Sequence, residues 1–187
     1  PSKGTKQPVE IYAKAPNKTA TYVIGDDGFT GQGFNGKVGW DLDYSGRGLR
    51  ELKGAELAAI EREADFYRML HLKESYATTT FKGTAKVGDR LANLIEATIA
   101  GSPNIVRLYF DAASGLLIRR DVVPPDPQEK AFVEVYFEDY REVDGIKMAF
   151  TIRNVFPRAD VMNVFSIEEI KQNVAIDDAK FEKPSTR

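Results

Sequence analysis

The chain has 187 residues, 42% hydrophobic and 29% charged, with 26 basic against 28 acidic side chains and a net charge of −2. That size predicts a single domain, 1–187, large enough to bury its own core. The near-neutral balance offers no basic field for nucleic acid. No apolar run approaches the roughly 18 residues of a membrane span, so a membrane-spanning chain is not expected. The absence of cysteine excludes disulfides, thiol nucleophiles, thiolate metal sites and covalent haem, and a single histidine leaves no histidine-rich zinc site. No metal, cofactor or catalytic residue is expected. The chain opens at Pro1 without a basic-then-apolar leader, as a mature exported protein or a domain cut from a longer chain would.

Most of the sequence reads as strands. Val9, Ile11 and Ala13 alternate with Glu10, Tyr12 and Lys14, which predicts a half-buried strand. Ala15-Pro16-Asn17-Lys18 is a turn, residues 20–24 return, and Asp26-Asp27-Gly28 turns again before a strand from Phe29. Asn35-Gly36 predicts a type I′ hairpin, after which Val38 and Trp40 share a face. One long helical pattern follows over residues 54–72, where Leu57, Ile60, Ala64, Tyr67 and Leu70 make one stripe and Glu56 suits the first turn. Strands resume at 76–87, 91–100, 106–110, 116–122, 132–143, 146–156 and 161–171, divided by Gly88-Asp89-Arg90, Ser114-Gly115, the stiff Pro124-Pro125-Asp126-Pro127 loop and Asp144-Gly145. About eleven strands in hairpin succession predict a strongly curved antiparallel sheet or barrel covered on one face by the single helix.

The motifs that carry chemistry elsewhere are weak here. Gly31-Gln32-Gly33-Phe34-Asn35-Gly36 fits G-x-G-x-x-G, but a dinucleotide loop must open a helix, and strand follows instead. These glycines read as turn punctuation. His71, near the expected helix end, is explained by the helix dipole and lacks a visible nucleophile. Asp41 and Asp43 share a strand face before the Ser45-Gly46-Arg47-Gly48 loop; a carboxylate-pair hydrolase stands as a third reading behind solvated edge residues. The 20 aromatic residues are more informative together, because a sheet of eleven strands exposes more apolar area than one helix covers. The expected lining of the resulting hollow is Trp40, Leu57, Ile60, Phe66, Tyr67, Leu70, Phe110 and Phe150.

Several ordered stretches resemble the LolA-like superfamily. They are Val9 to Asn17 with its Pro-Asn ending, Phe34-Asn35-Gly36-Lys37-Val38-Gly39-Trp40, Leu108-Tyr109-Phe110-Asp111 running through Ser114-Gly115-Leu116-Leu117-Ile118-Arg119, Asp139 to Lys147, and Asn173 to Phe181 with Pro184. The match is nearest to the C-terminal domains that follow a c-type cytochrome segment in some bacterial exported proteins. Ala15 stands where lipoprotein carriers of this superfamily place an arginine, and a helix that precedes their first strand has no counterpart here. The resemblance implies a mostly β, α+β fold, a half-open antiparallel barrel with a helix over its mouth. It also implies a non-enzymatic periplasmic domain that binds a lipid, the acyl chain of a lipoprotein or another apolar ligand between sheet and helix. The competing reading is an accessory interaction domain of a larger, cytochrome-linked exported protein, with a partner protein or parent-chain domain on its surface and no ligand cavity.

Overall fold

The computed structural model describes residues 7–26, 28–43, 48–68, 70–71, 74–126 and 128–185. Asp27, Ser45, Gly46, Arg47, Leu72 and Pro127, which figure in the expectations above, lie outside the described residues. The chain divides into two compact units, Pro1–Leu72 with Ala175–Arg187, and Lys73–Val174.

The first unit is a five-stranded antiparallel sheet in sequence order: β1 (Val9–Lys14), β2 (Lys18–Gly25), β3 (Gly28–Phe34), β4 (Gly39–Asp43) and β5 (Gly48–Glu51). Helix α1 (Gly54–Ala64) follows. Its Leu57, Ile60 and Ala64 pack with Phe34 and Leu52 on one face of the sheet. Gly39 permits that approach, since a Cβ there would lie 3.0 Å from both Ile60 and Leu57. The other sheet face carries Ala20, Trp40, Tyr12, Tyr22, Leu42 and Leu49, and is covered by residues of the C-terminal segment, where Phe181 and Ile176 join the same cluster.

The second unit is a seven-stranded antiparallel sheet: β6 (Thr78–Val87), β7 (Arg90–Thr98), β8 (Ile105–Asp111), β9 (Leu117–Val123), β10 (Val133–Val143), β11 (Ile146–Phe156) and β12 (Val161–Ser166), again paired in sequence order. Its middle strands are buried at Val106, Leu108, Tyr109, Ile118 and Val123. Charges interleave with that core. The Arg119 guanidinium grips Asp121 in a fork at 2.7 and 2.9 Å, reaches Glu134 at 2.9 Å and lies over the Tyr109 and Tyr136 rings. Arg107 and Lys82 continue the line through Glu96, and Arg153 ends it between Tyr136 and Glu138. Burial together with the adjacent Asp121 charge pushes the Tyr109 phenol up to about 12. Burial also lifts the Asp121 carboxyl above its ordinary range, against the pull of Arg119.

Four expectations are corrected. The strands number twelve among the described residues and form two sheets, neither a closed barrel. The extra one is β5, whose four residues are too few to show alternation. The helix ends at Ala64 rather than near 72, because Asp65 is extended and its Oδ1 accepts the Tyr67 N–H, a local bond that competes with another helical turn. The Phe66 N–H turns away to the Pro16 carbonyl. His71 therefore lies seven residues beyond the helix, and the dipole does not account for it. Finally, the last strand stops at Ser166.

The turns differ in kind as well. Between β3 and β4 only Gly36 has positive φ, and the Asn35 Oδ1 accepts the Lys37 and Val38 N–H groups, so this is a side-chain-closed four-residue loop. The two-residue turn with positive φ at both positions sits instead at Asp144-Gly145, between β10 and β11. Gly31 and Gly33 lie inside β3 rather than in a turn. A Cβ on Gly31 would stand 2.1 Å from the Thr21 carbonyl oxygen, and one on Gly33 would stand 2.6 Å from Trp40.

Candidate functional site

A groove of about 870 Å³ lies in the first unit, on the sheet face opposite α1. Its floor is Tyr22 and Ile24 of β2, Phe29 of β3, Leu42 of β4 and Leu49 of β5, all half-buried. The alternation of each strand puts these apolar residues on one side. The Tyr22 and Phe29 rings meet edge to face at 5.1 Å. The volume falls within the range of small-molecule sites.

The opposite wall is the C-terminal segment, which behaves as a strap. A short 3₁₀ turn, Asp178–Lys180, is capped by Asp177 and aims Phe181 into the sheet. The Trp40 indole N–H donates to the Phe181 carbonyl at 2.9 Å, and the Tyr22 hydroxyl donates to the Lys180 carbonyl at 2.5 Å. Lys14 and Lys18 both pair with Asp178, at 2.7 and 3.1 Å. Their hydrogen bonds, that of Lys14 first, hold its carboxyl below the usual range. At the far end Asn35 donates to Glu182 and Lys183 pairs with Glu51. Glu10, Lys180, Glu182 and Lys183 make the groove's charged rim, two of each sign. The groove thus combines an apolar floor with a rim whose charges balance.

The eight residues expected to line a hollow are distributed rather than gathered. Trp40 is fully buried beneath Phe181, with its ring 5.8 Å from Tyr22, so it supports the groove without lining it. Leu57 and Ile60 lie across the sheet from it, in the α1 cluster. Phe66, Tyr67 and Leu70 follow the helix and are 52%, 42% and 79% exposed. Phe110 and Phe150 belong to the second unit, on β8 and β11, where Arg141 covers the Phe150 ring. The floor residues that sequence reasoning missed had a signal, the Ala20, Tyr22, Ile24 alternation in β2. What hid them was the cover, since nothing local links residues 20–50 to 175–185.

Among the described residues no group of three or more histidine, cysteine, aspartate or glutamate side chains is placed to hold a metal ion. Asp41 is paired with Arg50 at 3.0 Å, and the same guanidinium reaches Glu56, so this carboxylate serves as a counter-ion. No described helix is long and apolar enough to cross a membrane.

No family profile and no curated protein sequence matches the chain. Solved structures do. A DUF1329 family protein from Desulfovibrio piger superposes with a TM-score of 0.59 at 14% identity, over 93% of this chain and 86% of its own. A LolA superfamily protein from Nitrosomonas europaea gives 0.57 at 11% identity, over 92% and 82%. Identities this low speak to backbone architecture alone, and on that architecture the chain has a LolA-like fold.

Proposed function

We propose that this chain is a non-enzymatic, exported domain of the periplasm that binds a lipid or another apolar ligand, and that the strap-walled groove of the first unit is where it binds. The observation behind this reading is the floor of Tyr22, Ile24, Phe29, Leu42 and Leu49, half-buried and open to a guest in a fold shared with a LolA superfamily protein. The physics is burial. Each methylene removed from water contributes about 0.8 kcal/mol, so an acyl chain binds without any catalytic group. Trp40 contributes from beneath by fixing Tyr22 and the strap.

A second reading is an accessory interaction domain, favoured by the exposed run Phe66, Tyr67 and Leu70. A fluorescent fatty acid separates the two. The carrier reading expects saturable binding that Ile24→Glu or Leu49→Glu weakens by about tenfold or more, since a carboxylate buried against hydrocarbon is strongly disfavoured. Leu70→Glu leaves that binding unchanged, and the thermal midpoint controls for folding. Absence of saturable binding, together with an organic extract of the purified protein that carries no lipid by mass spectrometry, overturns the carrier reading.

A further inference from the structure

The two sheets have four edges, and three are guarded against pairing with another chain. β1 carries Glu10 and Lys14. β5 is four residues long with Arg50 and Glu51. β6 has Lys82 and Lys86 and a bulge between Phe81 and Gly83. Short length, lysines and bulges are the usual protections of an edge. β12 has none of them. Its sequence Val161-Met162-Asn163-Val164-Phe165-Ser166 holds no charge and no proline, and all six residues are exposed.

The register tells which backbone groups of β12 are spoken for. β12 pairs with β11 from Phe156↔Val161 to Thr151↔Ser166, and the Ile167 N–H continues the ladder to the Phe150 carbonyl at 2.8 Å. Hydrogen-bonded positions alternate in an antiparallel pair. Val161, Asn163 and Phe165 therefore bond inward to β11, and Met162, Val164 and Ser166 turn their N–H and C=O groups outward. Beyond the β11 ladder, no backbone hydrogen bond joins these outward groups to the described residues.

We propose that this edge is a dimerisation site, on which β12 of a second copy of the chain pairs antiparallel about a twofold axis at Asn163. In that register Met162 of each copy faces Val164 of the other and exchanges both backbone bonds with it. Val161 faces Phe165, so apolar side chains meet apolar ones, and no like charges are opposed. Such a contact is isologous and closes at two chains. A second copy is the favoured occupant because the strand is its own complement in both hydrogen bonding and polarity, and it carries no charge with which to select a foreign one. The same operation on β6 would bring lysines together across a bulged edge. This inference does not depend on the groove.

The natural absence of cysteine makes the test direct. Across the axis Asn163 meets its twin at a non-hydrogen-bonded position, with Cα atoms about 4.5 Å apart, inside the disulfide range of about 4.4–6.8 Å. Asn163→Cys is expected to cross-link to a dimer under mild oxidation. Val161→Cys, whose twin lies about 13 Å away along the strand, is not. In sedimentation the unmodified protein is expected to shift from monomer to dimer with concentration. Val164→Pro removes an outward N–H from each copy and should weaken that equilibrium by about tenfold or more. Val164→Lys should act alike through charge, which keeps the test decisive if the proline variant fails to fold by circular dichroism. A chain monomeric at every concentration, Val164→Lys dimerising as the parent does, or equal cross-linking of the two cysteine variants overturns the proposal.

Discussion

The two units solve the same problem, a meander sheet with two faces to protect, by different chemistry. The five-stranded sheet is covered by its own chain on both sides, by α1 on one face and the strap on the other, and its clusters are apolar. The seven-stranded sheet threads ion pairs and cation–π contacts between its strands, with Asp121 only 2% exposed. Apolar cover is strong but leaves a hollow wherever the cover is narrower than the sheet, and that is where the groove lies. In the second unit the Arg119 and Arg153 guanidiniums are held instead by carboxylates and rings on their own and neighbouring strands. The groove lies in the first unit and the unguarded edge in the second.

The comparison can be broken most sharply at Phe181. Truncating it to alanine should cost about 3–5 kcal/mol, as for other buried aromatics. Denaturant unfolding followed by the emission of Trp40, the only tryptophan, reports this unit by itself. A loss below about 1 kcal/mol would mean that the strap is not part of the core. In the second unit Asp121→Ala should cost about 2–3 kcal/mol, the scale of a charged hydrogen-bond partner removed from a buried site. Amide exchange across β8–β10 measures it, and an unchanged exchange pattern would show the Arg119 fork to be ornamental. The smallest effect is electrostatic. Lys14 and Lys18 depress the Asp178 carboxyl, so their stabilisation of the strap is present above the ordinary carboxylate range and is lost as pH falls through the depressed value. Asp178→Asn should flatten the acid limb of the Trp40 emission profile, and an identical limb in both proteins would refute that assignment.

Much of the strand pattern was legible because periodicity is local. The alternation at Val9 to Lys14 and at Ile146 to Phe156 became β1 and β11, and each strand pairs with its sequence neighbours as hairpin succession implies. The errors lie where one side chain redirected the backbone. Asp65 bonded to the Tyr67 N–H and ended a helix that the apolar stripe carried on. The Asn35 carbonyl closed a loop that the Asn-Gly pair assigned to a two-residue turn. The candidate lining scattered for a related reason. Trp40 and Ile60 are both apolar and both buried, and nothing in the residue types says that a sheet lies between them.

The sequence by itself therefore determined a succession of antiparallel hairpins with one amphipathic helix, the lack of thiol chemistry and the polarity of each strand face. A strand's alternation states which side avoids water, and that information is carried by residues two apart. It does not state what comes to cover that side. That choice was tertiary: Phe181 against Trp40 and Lys14 against Asp178, 141 and 164 residues apart in sequence, turned a terminal peptide into the wall of a groove. Contacts over such separations are selected by the fit of whole surfaces, which no local pattern encodes.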